Sequence, residues 1–73
     1  MKMTRIIIDW TDGQYGFREL EENEPDPERG IPMATVPRTV VDCWRAILKS
    51  QKVIQEQLCA LDNAWHDEWE AKT

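Results

Sequence analysis

No run of apolar residues in this 73-residue chain comes near the ~18 needed to cross a bilayer. Met1–Trp10 has neither the apolar core nor the small-residue cleavage site of a secretion signal, so the expectation is a soluble cytoplasmic protein with no membrane partner. Also missing are Cys-x-x-Cys, His-Glu-x-x-His and any phosphate-loop spacing; Gly13, Gly16 and Gly30 read as turn glycines. Positive charge is scarce, with 9 Lys+Arg against 14 Asp+Glu and a net charge of −5, which argues against a nucleic-acid backbone as a direct partner. The only histidine, His66, has Asp62 and Glu70 one turn either side, a spacing better suited to helix-surface pairs than to a metal site. Cys43 and Cys59 have no histidine nearby in sequence, and so short a chain does not enclose a pocket alone. No enzyme activity, metal or cofactor is expected.

What is present is a globular composition. At 41% hydrophobic with four tryptophans, the chain is too apolar for a disordered acidic tail, and its length allows one small domain at the margin of what a lone core sustains. It divides into three parts. Residues 3–20 predict a two-stranded antiparallel β-hairpin closed by Asp12-Gly13, pairing Trp10 with Tyr15, Ile8 with Phe17 and Ile6 with Glu19. Ile6, Ile8, Trp10, Tyr15 and Phe17 then form an inner face, while Arg5, Ile7, Asp9, Arg18 and Leu20 form a partly solvated outer one. Residues 21–36 read as an extended, solvated linker, because acids crowd it and Pro25, Pro27, Gly30 and Pro32 break regular structure.

Residues 37–70 predict one long helix, with Pro37 suited to its first turn and Thr39 with Asp42 as a second possible start. Val40, Trp44, Ile47, Gln51, Ile54, Leu58, Leu61 and Trp65 alternate in steps of four and three, a coiled-coil seam. Such a helix would be ~51 Å long and would protrude from a compact chain, exposing an apolar stripe. No Gly or Pro offers a break, so a second copy is expected to cover the seam; a break near Asn63 is the alternative. Arg38, Arg45, Lys49 and Lys52 make the first half of the helix positive, and Glu56, Asp62, Asp67, Glu68 and Glu70 make the second half negative. That asymmetry favours an antiparallel homodimer or larger assembly, with Gln51 as a polar register pin. Cys43 and Cys59, sixteen positions apart on a continuous helix, stand ~24 Å from each other and cannot form an intrachain disulfide. Two buried free thiols are expected, with a crosslink between subunits as the alternative.

The run Ile8-Asp9-Trp10-Thr11-Asp12-Gly13-Gln14-Tyr15, then an acidic Pro-containing link, then Val36-Pro37-Arg38-Thr39-Val40-Val41-Asp42-Cys43-Trp44 opening a helix, resembles small accessory proteins of tailed phages. Anti-CRISPR proteins and other inhibitors of host defence are among them. The resemblance implies a viral protein that binds a host factor or sequesters its signalling ligand in the host cytoplasm, and it carries over no functional residue.

The expected function is therefore non-catalytic protein binding. Glu19, Glu21, Glu22, Glu24, Asp26 and Glu28, with Asp67, Glu68 and Glu70, are spaced to meet a basic surface on a host protein; the plainer reading is a solvated linker and a solvated helix end. Trp69, near the helix end, is the candidate aromatic anchor, whereas Trp10, Trp44 and Trp65 read as core. A second expectation is an oligomeric sponge holding a small anionic nucleotide through Arg5 and Arg18, and a third is a structural or assembly factor of the virion.

Overall fold

The structure, a computed structural model, describes residues 2–50 and 52–72, with side chains to residue 71. Strands β1 (Met3–Thr11), β2 (Gln14–Glu19) and β3 (Met33–Pro37) are followed by helix α1 (Arg38–Ile47), a 3-10 turn at Leu48–Ser50 and helix α2 (Lys52–Lys72). The class is α+β as expected, but the sheet has three antiparallel strands in the order β2-β1-β3 and the helix comes in two pieces.

The hairpin follows from its turn. Asp12 and Gly13 both adopt positive φ, 54° and 76°, the mirror-image turn whose twist matches that of paired strands. That turn fixes the expected register, Trp10↔Tyr15, Ile8↔Phe17 and Ile6↔Glu19. The third strand is a correction to the linker at 21–36: Met33–Pro37 pairs with the other side of β1, Ile6 opposite Ala34 and Thr4 opposite Val36. Pro32 and Pro37 bound this strand without disrupting it, because it lies at a sheet edge where a missing N–H is tolerated. A third strand also supplies the support that an isolated hairpin lacks.

The helices cover the inner face. Ile6, Ile8, Val41, Ile54 and Leu58 form the core, flanked by Tyr15, Phe17, Ala34, Val36, Trp44, Leu48 and Leu61. Trp10 belongs to the same face but sits at the hairpin tip beyond the helices, so it is 59% exposed rather than core, its ring 4.4 Å from that of Tyr15. The first helical N–H, on Arg38, donates to Lys2 O at 2.9 Å; Pro37 is the N-cap residue and makes no side-chain cap bond.

The helix break lies at Leu48–Ser50, not near Asn63, and it forms without glycine or proline. Burial accounts for it. A straight rod would carry half its stripe off the sheet, whereas the bend returns Ile54 and Leu58 to the core at 4% and 0% exposure. Each such burial contributes roughly 1.5–3 kcal/mol, against about 0.5–1.5 kcal/mol for each helical hydrogen bond forgone at the turn. The result measures 36 × 29 × 21 Å instead of extending as a rod.

The outer face differs from the expected half-solvated surface. Ile7 and Leu20 are 8% and 6% exposed there, because the acidic segment after β2 folds back across it. Arg5 holds that segment: its guanidinium donates to the carbonyls of Glu21 at 2.7 Å and Glu24 at 2.6 Å, and to the Asp26 carboxylate at 2.6 Å. Turns at Glu21–Glu24 and Glu28–Ile31 shape the strap, the second placing Gly30 at φ 104°, which a side chain would strain.

Candidate functional site

The acidic residues proposed to meet a partner are largely engaged within the chain. Glu19 lies between Arg38 and Arg45, accepting from Arg45 at 2.9 Å; Glu22 pairs with Lys2 at 3.1 Å, and Glu24 with Arg18 at 3.4 Å. With Asp26 on Arg5, these carboxylates tie down the strap. Glu21 and Glu28 lie on the same strap, exposed, while Asp67, Glu68 and Glu70 ride on the last turns of α2, so the two acidic groups occupy separate elements. Arg5 and Arg18, the candidate anion clamp, already have their own chain's carboxylates as counter-ions.

The seam residues are divided by the bend. Ile54 and Leu58 are used in the core, Trp44 and Leu61 pack against it, Val40 and Trp65 are half-buried, and Ile47 is 38% exposed. Val41 rather than Val40 is the fully buried position of α1, and Gln51 lies outside the described residues. Trp69 is half-buried, stacked on Trp65 with ring centroids 6.3 Å apart, and the Arg29 guanidinium lies 5.6 Å from its ring. The end of the strap thus reaches the C-terminal part of α2. Of the two thiols expected to be buried, Cys43 is exposed on α1, and Cys59 is half-buried, accepting from Asn63 Nδ2 at 3.6 Å.

One polar cluster gathers where α2 crosses the start of β2. His66 Nε2 comes within 3.0 Å of Asp62 Oδ1, and Tyr15 is held above its ordinary pKa of 10, up to about 12, by a hydrogen bond to Cys59, by burial and by the Asp62 carboxylate. Among the described residues no three His, Cys, Asp or Glu side chains are placed to hold a metal ion. No described helix is long and apolar enough to cross a membrane.

A further feature has no signal in the sequence. Strand β2 is a sheet edge, and beside it runs an open groove of about 1250 Å³. The pair Thr11↔Gln14 closes the turn and exchanges backbone hydrogen bonds, so the alternation of the ladder turns Gln14, Gly16 and Arg18 toward β1 and Tyr15, Phe17 and Glu19 outward. The Tyr15 N–H bears this out by donating 3.1 Å to Gln55 Oε1 on α2. Phe17 and Glu19 follow it along the groove. The far wall is the bend itself, with Arg45, Leu48, Lys49 and Lys52. Arg45 lies 5.7 Å from the Phe17 ring while bonding Glu19; Lys49 and Lys52 are exposed and have no ion-pair partner among the described residues. Nothing in the β2 sequence signals an edge; that follows only once β3 takes the other side of β1.

No known protein family, curated protein or solved structure matches the chain.

Proposed function

We propose that this protein is a non-catalytic protein-binding module that takes an extended segment of its partner as an additional strand on β2. The observation that supports this reading is the open edge: Phe17 and Glu19 turn backbone donors and acceptors into the groove, where a strand added at the usual ~4.8 Å spacing can pair with them. A short strand with charged residues, as here at Arg18 and Glu19, resists edge-to-edge aggregation while still admitting a matched segment. The carboxylates of the strap form a weaker surface for the same task, because their nearest cations are already in place. Under the resemblance to phage accessory proteins, the partner is a host protein, and a protein that captures a strand can block it without chemistry.

The test is selection of binding decapeptides from a displayed random library, followed by amide exchange on the full chain. Selected peptides should protect the Phe17 and Glu19 amides, and a chemically synthesised protein N-methylated at Phe17 should lose their binding while melting at the same temperature. Binders that leave those amides unprotected, or no binders at all, would overturn the reading.

A further inference from the structure

The groove has a charge pattern that selects among extended peptides. Its helical wall presents Lys49 on the 3-10 turn and Lys52 in the first turn of α2, both exposed and without an ion-pair partner among the described residues. The other cations of the groove have counter-charges: Arg45 bonds Glu19 at 2.9 Å, and Arg18 bonds Glu24 at 3.4 Å. The groove's acids lie elsewhere. Asp12 is in the hairpin turn, Asp9 stands opposite Gly16, whose side of the sheet is the outer one, Glu19 is taken up by Arg38 and Arg45, and Glu21 lies beyond the end of β2 where the strap begins. A strand laid on β2 therefore meets uncompensated positive charge on its helix side and negative charge on its outer side near the tip.

Resting on the strand-addition reading, we propose that the preferred occupant is an acidic extended peptide whose alternate side chains are carboxylates turned to Lys49 and Lys52. The spacing suits this. Side chains on one face of a strand recur every ~6.7 Å, and the long stems of Lys49 and Lys52, close together in the chain, can follow two such positions. The remaining positions, which pass the Asp9 side, are neutral. The pattern also explains how a chain of net charge −5 recruits an acidic ligand: the bend concentrates its unpaired lysines at one edge, and screening over ~8–10 Å mutes the acids beyond. Ser50, between the two lysines, adds no bulk to the wall.

Three capped decapeptides with Thr alternating with Glu, Gln or Lys distinguish the possibilities, their affinities read from amide shifts of Phe17 and Glu19 in the intact protein. The Glu peptide should bind roughly three- to tenfold more tightly than the Gln peptide at low salt, as two exposed ion pairs allow, and the Lys peptide more weakly than either. Half-molar salt should erase the difference, and so should the double variant Lys49→Gln/Lys52→Gln, whose melting temperature is expected to match the parent because both side chains are exposed. Equal binding of the Glu and Gln peptides, or preference for Lys, would overturn the acidic preference and leave strand addition standing. Absence of shifts at Phe17 and Glu19 with all three would overturn both.

Discussion

The two faces of the sheet are covered by different chemistry. On the inner face, two helices deliver Val41, Ile54 and Leu58 onto Ile6 and Ile8, and the contacts are apolar and short of water. On the outer face, an acidic, proline-rich strap shields Ile7 and Leu20, held chiefly by the Arg5 guanidinium, which reaches three groups at 2.6–2.7 Å, with Lys2 on Glu22 and Arg18 on Glu24 beside it. The apolar face obtains stability from area removed from water, which salt does not weaken. The strap depends on charge-assisted hydrogen bonds at a site that is partly wet, the Arg5 side chain being 24% exposed and Asp26 71%. The difference teaches that a segment with the composition of a linker becomes structure when cations of the sheet find its carbonyls and carboxylates.

The largest expected effect breaks the inner face. Leu58→Ala removes a fully buried side chain from the centre of the cluster and should cost about 2–5 kcal/mol, enough to unfold much of a domain of this size. Denaturant unfolding followed by tryptophan fluorescence measures it; a loss below about 1 kcal/mol would mean that α2 does not rest on the sheet. Next comes the outer face. Arg5→Ala should cost about 1–3 kcal/mol and free residues 21–28 to exchange amides rapidly, while the inner strands keep their protection. High salt should mimic part of the Arg5 change and none of the Leu58 change. If the strap stayed protected in Arg5→Ala, its apolar contacts, not the guanidinium, would be holding it.

The same comparison explains what was legible in the sequence. Asp12-Gly13 specifies its turn locally, and with it the register and the inner face, because two adjacent positive φ values admit few other residues. The strap and β3 were illegible for the opposite reason: Arg5 contacts Glu21 and Asp26 from sixteen and twenty-one residues away, and Met33–Pro37 becomes a strand only because β1 offers a free side. The helix bend at Leu48–Ser50 likewise answers to the sheet beneath Ile54 and Leu58, whereas the seam reads continuously through it. The candidate groove inherits both non-local events. Its edge exists because β3 is on the far side, and its lysines line it because the helix turns there. By contrast Arg5 and Arg18 were correctly placed together on the outer face, but the carboxylates that neutralise them come from a segment read as solvent-facing.

The smallest effect at neutral pH concerns the polar corner of the inner face, and it sharpens the comparison by giving that face a chemical signature of its own. Tyr15 is the only tyrosine, so phenolate absorbance reports it alone. Its hydroxyl is kept protonated chiefly by the hydrogen bond to Cys59, then by burial and by Asp62, which places its titration near pH 12 instead of 10. A pKa raised on folding stabilises the protonated native state. That contribution is fully present below pH 10 and disappears as pH climbs through 12, leaving neutral stability unchanged. Cys59→Ala, which removes the largest single influence, should bring the midpoint back toward 10, and Asp62→Asn should move it in the same direction. Neither change should alter exchange in residues 21–24, the part of the strap that Arg5 holds on the outer face. A native midpoint at 10 would mean that the Tyr15 hydroxyl does not meet Cys59 and Asp62 on α2, leaving the backbone bond from Tyr15 to Gln55 as the anchor of the β2 edge on that helix.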